Sequence, residues 1–164
     1  MNINGIEIER KFMIVMPSKE FLDGLEGTEI VQTYLLCEKG STERVRKRGR
    51  DGKYVYTHTI KQKISSLSRR EEEREISVSE YEYLLRRADP ERRTIEKIRY
   101  CYEYSGMLWE IDVFPFWKDK AFIEIELNAE NQAIDFPPEI KIIRELTADG
   151  RYTNAALAKS IPKD

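Results

Sequence analysis

The stretch Ile123-Glu124-Ile125-Glu126-Leu127 alternates apolar and acidic residues without a break. In a β-strand, residues two apart share a face, so this segment would place both glutamates on one face and the apolar side chains on the other. The same alternation occurs in Trp109-Glu110-Ile111-Asp112-Val113. These two segments predict amphipathic strands, each with an acidic row.

Alternation of this kind, or enrichment in β-branched and aromatic residues, extends along most of the chain. It predicts eight strands, near residues 5–14, 30–37, 42–49, 53–62, 70–77, 93–104, 107–115 and 120–128. Asp51-Gly52 and Ser105-Gly106 fall between neighbouring strands, and both dipeptides are typical of tight hairpin turns. Adjacent strands are therefore expected to pair antiparallel.

Helical features are confined to three short segments. Residues 17–22 and 79–87 begin with the proline or serine that commonly starts a helix. Residues 149–159 carry apolar side chains at helical spacing. The fold class is therefore predicted to be α+β, with a dominant antiparallel sheet. No repeat or Pro/Ser-rich linker interrupts the 164 residues, so residues 1–164 are expected to form a single domain.

Charged residues make up 35% of the chain, above the roughly 25% usual for globular proteins, although the net charge is only −2. Some of them form rows along one face of a predicted strand, and most of these rows repeat one sign. These rows are Glu7, Glu9 and Lys11; Arg44, Arg46 and Arg48; Glu71, Glu73 and Glu75; Lys97 and Arg99; Glu110 and Asp112; and Glu124 and Glu126.

An ordinary charged row is a solvated sheet face. Neighbouring charges of one sign repel, however, unless an opposite charge lies between them. Carboxylate pairs suit hard divalent cations such as magnesium or manganese, and rows of arginine and lysine suit a polyphosphate. Together the rows predict metal-dependent phosphoryl chemistry. Eight antiparallel strands could close into a barrel wide enough for one small ligand.

Composition narrows the possible functions further. A hydrophobic share of 40% argues against disorder, and no apolar run approaches the ~18 residues of a membrane span. The first residues lack the features of a secretory signal, so a cytoplasmic location is expected.

Cys37 and Cys101 have neither zinc nor disulfide spacing and are expected to be buried, reduced thiols. The balanced charge argues against stable nucleic-acid binding.

The segment Glu7-Ile8-Glu9-Arg10-Lys11 resembles the ExExK signature of the CYTH family, the triphosphate tunnel metalloenzymes. The resemblance continues in order over nearly the whole chain, through Gln32-Thr33-Tyr34-Leu35, Glu43-Arg44-Val45-Arg46, Thr59-Ile60-Lys61, Glu71-Glu72-Glu73, Lys97-Ile98-Arg99, Glu110-Ile111-Asp112, Glu124-Ile125-Glu126 and Tyr152-Thr153-Asn154-Ala155-Ala156-Leu157. It implies a closed eight-stranded antiparallel barrel with a few flanking helices, which hydrolyses a triphosphate with Mg²⁺ or Mn²⁺.

The resemblance also implies roles for individual residues. The metal-side carboxylates would be Glu7, Glu9, Asp112, Glu124 and Glu126, with Glu71, Glu73 and Glu110 as further acidic lining. The phosphate-binding cations would be Arg44, Arg46, Lys61, Lys97 and Arg99. Lys11 and Tyr34 match a lysine and a tyrosine that act together at the scissile phosphate in some members. Glu75, Arg48 and Arg151 receive no role, and His58 is expected to have an ordinary surface or packing role.

The function predicted from these observations is metal-dependent hydrolysis of the terminal phosphoanhydride of a triphosphate. Inorganic tripolyphosphate is the favoured substrate, with nucleoside or thiamine triphosphate as further candidates. Two alternatives stay open: a class IV adenylyl cyclase, which also belongs to this family, and a module that binds polyphosphate without turnover. The sequence leaves the choice of metal and the oligomeric state open, and a homodimer is compatible with it.

Overall fold

The computed structural model describes residues 8–63 and 69–163. The chain folds into two compact units. Unit 1 comprises residues 1–28 and 97–150, and unit 2 comprises residues 29–96 and 151–164. Within the described ranges, no helix is long and apolar enough to cross a membrane.

The described residues form a nine-stranded sheet, and the strands that pair within each unit run antiparallel. Its strands are β1 (Ile8–Val15), β2 (Glu26–Leu35), β3 (Ser41–Arg50), β4 (Lys53–Lys63), β5 (Arg69–Ile76), β6 (Ile95–Tyr104), β7 (Met107–Val113), β8 (Lys120–Leu127) and β9 (Ile142–Glu145). The first eight correspond to the predicted strands. β9 was not predicted, because four residues are too few to display a periodicity.

The large sheet and the few short helices confirm the predicted α+β class with a dominant sheet. Within unit 1 the strand order is β6-β7-β8-β1-β9, and within unit 2 it is β5-β4-β3-β2. β5 and β9 are therefore the end strands of the sheet in the part of the chain that is described. A closed barrel of eight strands, as the family resemblance implies, is not confirmed.

Three short helices accompany the sheet: α1 (Lys19–Asp23), α2 (Val78–Leu84) and α3 (Asn154–Lys159). All three overlap segments predicted to be helical, and only α3 lies wholly within its predicted segment. The start of α2 was predicted two residues late, because the Ser77 hydroxyl, and not that of Ser79, accepts the hydrogen bond from the Glu80 amide at 3.1 Å. A short 3-10 helix at Leu85–Arg87 continues α2.

The core of unit 1 is built from the apolar rows of β1, β7 and β8. Phe12 and Ile14 of β1 pack with Ile111 of β7 and with Ile123 and Ile125 of β8, and each is at most 3% exposed. Ile111 and Ile125 have acidic neighbours on both sides along their strands, and Phe12 and Ile123 each have one charged neighbour. The charged rows of these three strands consequently lie on the opposite face of the sheet.

Unit 2 has a smaller core on one face of its strands. Leu35, Val45 and Ile76 pack there against Tyr81 and Leu84 of α2. His58 is buried on this face as well, where its Nε2 lies 2.8 Å from a Glu43 carboxylate oxygen that also pairs with Arg87. His58 thus has the packing role expected of it, away from the face that carries the row of arginines.

Gly49 gives a prediction about the β3–β4 hairpin. Its φ is +154°, and a Cβ atom there would lie 2.0 Å from the Lys53 carbonyl oxygen. Because backbone on both strands would have to move, Gly49→Ala is expected to lower the free energy of unfolding by at least about 2 kcal/mol. Urea denaturation measures the loss.

The matched control is Gly24→Ala. Gly24 has a φ of −80°, and the nearest contact of an added Cβ would be the Phe21 carbonyl oxygen at 3.5 Å, an ordinary van der Waals distance. This variant should unfold within about 0.5 kcal/mol of the unmodified chain. Equal losses for the two variants would contradict the role given to Gly49.

Candidate active site

Unit 1 gathers the charged rows of four strands on the sheet face opposite its core. Cross-strand pairing places Lys11 of β1 opposite Glu124 of β8, and it places Arg99 of β6 opposite Asp112 of β7. Predicted site residues on this face are Glu9, Lys11, Lys97, Arg99, Glu110, Asp112, Glu124 and Glu126. Glu7 lies outside the described residues.

A buried group of three charges occupies this face. Asp112 is 1% exposed, and its Oδ2 accepts hydrogen bonds from Lys97 Nζ at 3.0 Å and from Arg99 Nη2 at 2.9 Å. Its Oδ1 accepts from Arg99 Nε at 2.8 Å. Asp112 therefore holds Lys97 and Arg99 in place, and both of these cations are predicted to bind phosphate.

The pKa values of this triad follow from burial and mutual attraction. Burial lowers the pKa of Lys97 to about 8; the Asp112 charge opposes this shift, and repulsion from Arg99 adds to it. Burial alone would raise the pKa of Asp112, but the Lys97 charge and the Arg99 hydrogen bonds hold it well below its ordinary value. Burial lowers the pKa of Arg99, but the hydrogen bonds and the charge of Asp112 raise it more. The pKa of Arg99 therefore lies above its ordinary value. Asp112 is thus ionised at neutral pH.

Carboxylates of β8 lie opposite carboxylates of both neighbouring strands, β7 and β1. Glu110 lies directly opposite Glu124, and Glu9 of β1 lies directly opposite Glu126. Directly opposed like charges destabilise a sheet unless a cation compensates them. Lys11 Nζ provides part of this compensation at 3.7 Å from Glu124 Oε1, and Arg99 Nη1 lies 3.1 Å from Glu110 Oε2.

Lys11 is a half-buried cation beside two β8 side chains. Its Nζ lies 4.2 Å from the centre of the Phe122 ring as well as near Glu124. Burial lowers the pKa of Lys11, and attraction to Glu124 and Asp112 partly offsets the shift. Lys11 Nζ thus lies beside one acidic and one aromatic side chain of β8.

A divalent cation fits the donor set of this face. No group of three or more Asp, Glu, His or Cys side chains converges on one point in residues 8–63 and 69–163. Magnesium usually keeps several waters and takes one or two carboxylates together with substrate phosphates, so a converged cage is unnecessary. The opposed pair Glu110 and Glu124 offers such oxygen ligands.

Unit 2 carries the predicted arginine row on the face opposite its own core. The predicted residues that share this face are Tyr34, Arg44, Arg46, Lys61, Glu71 and Glu73. Tyr34 lies opposite Arg44, and Lys61 lies opposite Glu71. Glu73 accepts a hydrogen bond from the buried Thr59 hydroxyl at 2.8 Å.

Among the described residues of this unit, two arginine side chains have a buried nitrogen without a hydrogen-bond partner. These atoms are Nε of Arg44 and Nε of Arg92, and Arg92 Nε lies 3.5 Å from Asp89 Oδ2. A buried donor without an acceptor costs about 1–3 kcal/mol, which an anionic ligand would recover. The Arg44 Nε is therefore the best structural support for its predicted contact with phosphate.

Sequence reasoning missed Gln32 and Arg92. Gln32 is fully buried and hydrogen bonded to both Arg46 and Tyr34, and the Arg92 guanidinium carbon lies 5.2 Å from the centre of the Tyr34 ring. Arg92 belongs to no strand row, so face sorting could not identify it. Gln32 lies in a segment that resembles the family and on the same face as Tyr34, but it received no predicted role because the sorting of faces considered charged side chains.

Neither cysteine is buried, contrary to the expectation. Cys37 is exposed, and Cys101 is half-buried on β6; neither forms a disulfide in the described part of the chain. Cys37 follows β2 in an exposed connection, where its Sγ donates to the Ser41 carbonyl oxygen at 3.0 Å. The apolar character of cysteine did not decide its position in either case.

Comparison with known proteins agrees with this architecture. The model of the CYTH domain family matches residues 5–143. The chain is 38% identical over 160 residues to an inorganic triphosphatase of Nitrosomonas europaea, covering 95% of this chain and 99% of the relative. It is 36% identical over 161 residues to an inorganic triphosphatase of Acetivibrio thermocellus, covering 95% of both.

A solved structure is also similar to this chain over nearly its full length. A crystal structure of an inorganic triphosphatase superimposes with a TM-score of 0.66 at 33% sequence identity, covering 96% of this chain and 97% of the other. Sequence and fold thus agree over almost the full length of the chain. This chain belongs to the CYTH domain family.

Proposed function

We propose that this chain is a metal-dependent triphosphatase that hydrolyses the terminal phosphoanhydride of inorganic tripolyphosphate. The main support for this proposal is the pair of carboxylates Glu110 and Glu124, which lie directly opposite each other on neighbouring strands of unit 1. Nearby cations compensate their negative charge only in part. The buried, unpartnered Arg44 Nε of unit 2 supports an anionic substrate. Two relatives that are named inorganic triphosphatases align with 95% of the chain.

In this proposal each charged row has its own task. Glu110 and Glu124, with Glu9 and Glu126 beside them, would hold Mg²⁺ or Mn²⁺. When bound, the cation would neutralise the charge that develops during phosphoryl transfer. Arg44, Arg46, Lys61, Lys97 and Arg99 would bind the phosphates. Glu7 and Asp112 stay predicted metal-side residues, and Glu71 and Glu73 stay predicted acidic lining.

Lys11 and Tyr34 are the proposed catalytic residues. The Lys11 ammonium group, beside Glu124, would contact the scissile phosphate and stabilise the charge on its oxygens. The Tyr34 hydroxyl would donate a hydrogen bond to the same phosphate. Water then displaces the terminal phosphoryl group in line with its leaving oxygen. Closure of the sheet into a tunnel stays a prediction.

A substrate panel tests the proposed function. The purified chain is incubated with tripolyphosphate, thiamine triphosphate, ATP or GTP, in the presence of magnesium, manganese or calcium, and the products are separated by chromatography. We expect phosphate and diphosphate from tripolyphosphate, and no activity in EDTA. Cyclic AMP from ATP would assign an adenylyl cyclase, and binding of tripolyphosphate without product would assign a binding module.

The arginine row gives a second prediction. Arg44→Ala is expected to raise the KM for tripolyphosphate about 10-fold or more, because a charged hydrogen bond contributes about 1.5–3 kcal/mol. The value of kcat should change less than about 3-fold if Arg44 binds ground state and transition state alike. Steady-state phosphate release measures both constants.

Lys47→Ala is the matched control for Arg44→Ala. Lys47 also lies on β3, but on the alternate face, where its Nζ is 4.2 Å from the centre of the Tyr54 ring. Its removal should leave KM within about 2-fold of the unmodified value. A fall in kcat with unchanged KM in Arg44→Ala would reassign that residue to transition-state stabilisation.

A further inference from the structure

Gln32 connects two side chains that the proposed function uses. It is fully buried on β2, directly opposite Arg46 of β3 and two residues before Tyr34 on the same face. Its Oε1 accepts from Arg46 Nε at 2.9 Å and from Arg46 Nη2 at 2.6 Å. Its Nε2 donates to the Tyr34 hydroxyl oxygen at 2.7 Å. One amide thereby holds a guanidinium group and a phenol together.

The chemistry of arginine fixes the orientation of this amide. A guanidinium group can only donate, so the Gln32 oxygen must face Arg46 and the amide nitrogen must face Tyr34. The amide nitrogen can only donate, so the Tyr34 oxygen must accept. The hydroxyl proton of Tyr34 therefore cannot point at Gln32 and is directed to another acceptor.

We propose that Gln32 is a positioning residue that orients the Arg46 guanidinium group and directs the Tyr34 hydroxyl proton toward the substrate. This inference rests on the proposed function, in which Arg46 binds phosphate and Tyr34 contacts the scissile phosphate. Because Gln32 is fully buried, it acts through these two neighbours. The Arg92 guanidinium group over the Tyr34 ring limits the movement of the phenol further.

A double-mutant cycle tests the connection to Tyr34. Gln32→Met keeps the length of the side chain and removes both hydrogen-bonding atoms, while Tyr34→Phe removes only the hydroxyl. We expect Gln32→Met alone to lower kcat about 10-fold or more and to raise KM. In the Tyr34→Phe background the same substitution should lower kcat less than about 3-fold, while its effect on KM persists through Arg46. Equal kcat losses in both backgrounds would overturn the proposal.

Gln32→Glu retains the volume of the side chain and changes only its hydrogen bonding. This variant therefore distinguishes an effect of hydrogen-bond direction from an effect of packing. The introduced carboxylate can still accept from Arg46, but it can only accept from Tyr34 and so turns the phenol proton inward. We expect a fall in kcat of about 10-fold or more. A kcat within about 2-fold of the unmodified value would overturn the assigned direction of the Tyr34 proton.

The control and a binding measurement distinguish this proposal from the proposed function. Gln62→Met, at an exposed site on β4, should leave both kinetic constants unchanged. Calorimetry with tripolyphosphate alone reports on Arg46 without turnover, and Gln32→Met should weaken this binding about 5-fold or more. If the unmodified chain shows no hydrolysis, the proposed function fails; if it is active and Gln32→Met binds and turns over normally, only the role of Gln32 fails.

Discussion

Asp112→Asn is expected to lower the free energy of unfolding by about 3–5 kcal/mol, because removing one partner of a buried ion group leaves charge without compensation. Arg99 would keep its positive charge in a site where the carboxylate is 1% exposed, and the pKa of Lys97 would fall further without the Asp112 charge. The asparagine amide can replace only part of the three hydrogen bonds that Asp112 accepts. Urea denaturation at pH 7 in the absence of divalent cations measures the loss.

Two further variants make this experiment specific. Lys97→Met should cost less than Asp112→Asn, since Arg99 alone continues to compensate Asp112 through two hydrogen bonds. Asp119→Asn, at an exposed position, should unfold within about 0.5 kcal/mol of the unmodified chain. A loss below about 1 kcal/mol in Asp112→Asn would show that the triad contributes little to stability.

Glu124→Gln is expected to reduce metal-dependent phosphate release at least ~100-fold while the chain stays folded. Glu124 lies between Lys11 on β1 and Glu110 on β7, so its charge acts on both neighbours. The substitution preserves size and removes one negative charge from the opposed carboxylate pair. Affinity for Mn²⁺, measured by calorimetry without substrate, should fall about 10-fold or more.

Glu72→Gln serves as the control for this loss. Glu72 is exposed on β5 and alternates with the acidic row, so it lies on the other face of that strand. Its activity and Mn²⁺ affinity should match those of the unmodified chain. Full activity of Glu124→Gln would contradict the metal assignment, and reduced activity with unchanged Mn²⁺ affinity would restrict Glu124 to orienting Lys11.

Alternation along single strands was sufficient to predict which face each charged residue occupies. Lys11, Arg99, Asp112 and Glu124 all lie on the face opposite the unit 1 core, as the sequence predicted. This success has a simple cause, since side chains of a strand alternate whatever its partner is. The same argument predicted the arginine face of unit 2.

The register between strands could not be predicted, and it changes the meaning of the rows of like charge. Across strands, Lys11 meets Glu124, Arg99 meets Asp112, and Lys61 meets Glu71. A row of like charges along a strand is therefore largely compensated by its neighbours. The stronger indication of a cation is the set of opposed pairs, Glu110 with Glu124 and Glu9 with Glu126, which only the structure identifies.

Site residues outside the charged rows were also beyond prediction. Arg92 precedes β6 and contacts Tyr34 from the segment after α2, so its position depends on tertiary packing. Gln32 lies in a predicted strand, but its importance comes from the partners on each side of its amide. Periodicity identifies faces, whereas it cannot identify a hydrogen-bond network.

The alternation of charged and apolar side chains also determines where this chain can tolerate changes in length. One residue inserted after Ile123 would turn Glu124 toward the apolar core and move Ile125 to the charged face. One residue inserted in the exposed connection 36–40 would leave both faces of β2 and β3 intact. Length variation in evolution should therefore be confined to such connections, while the spacing within β1, β7 and β8 stays fixed.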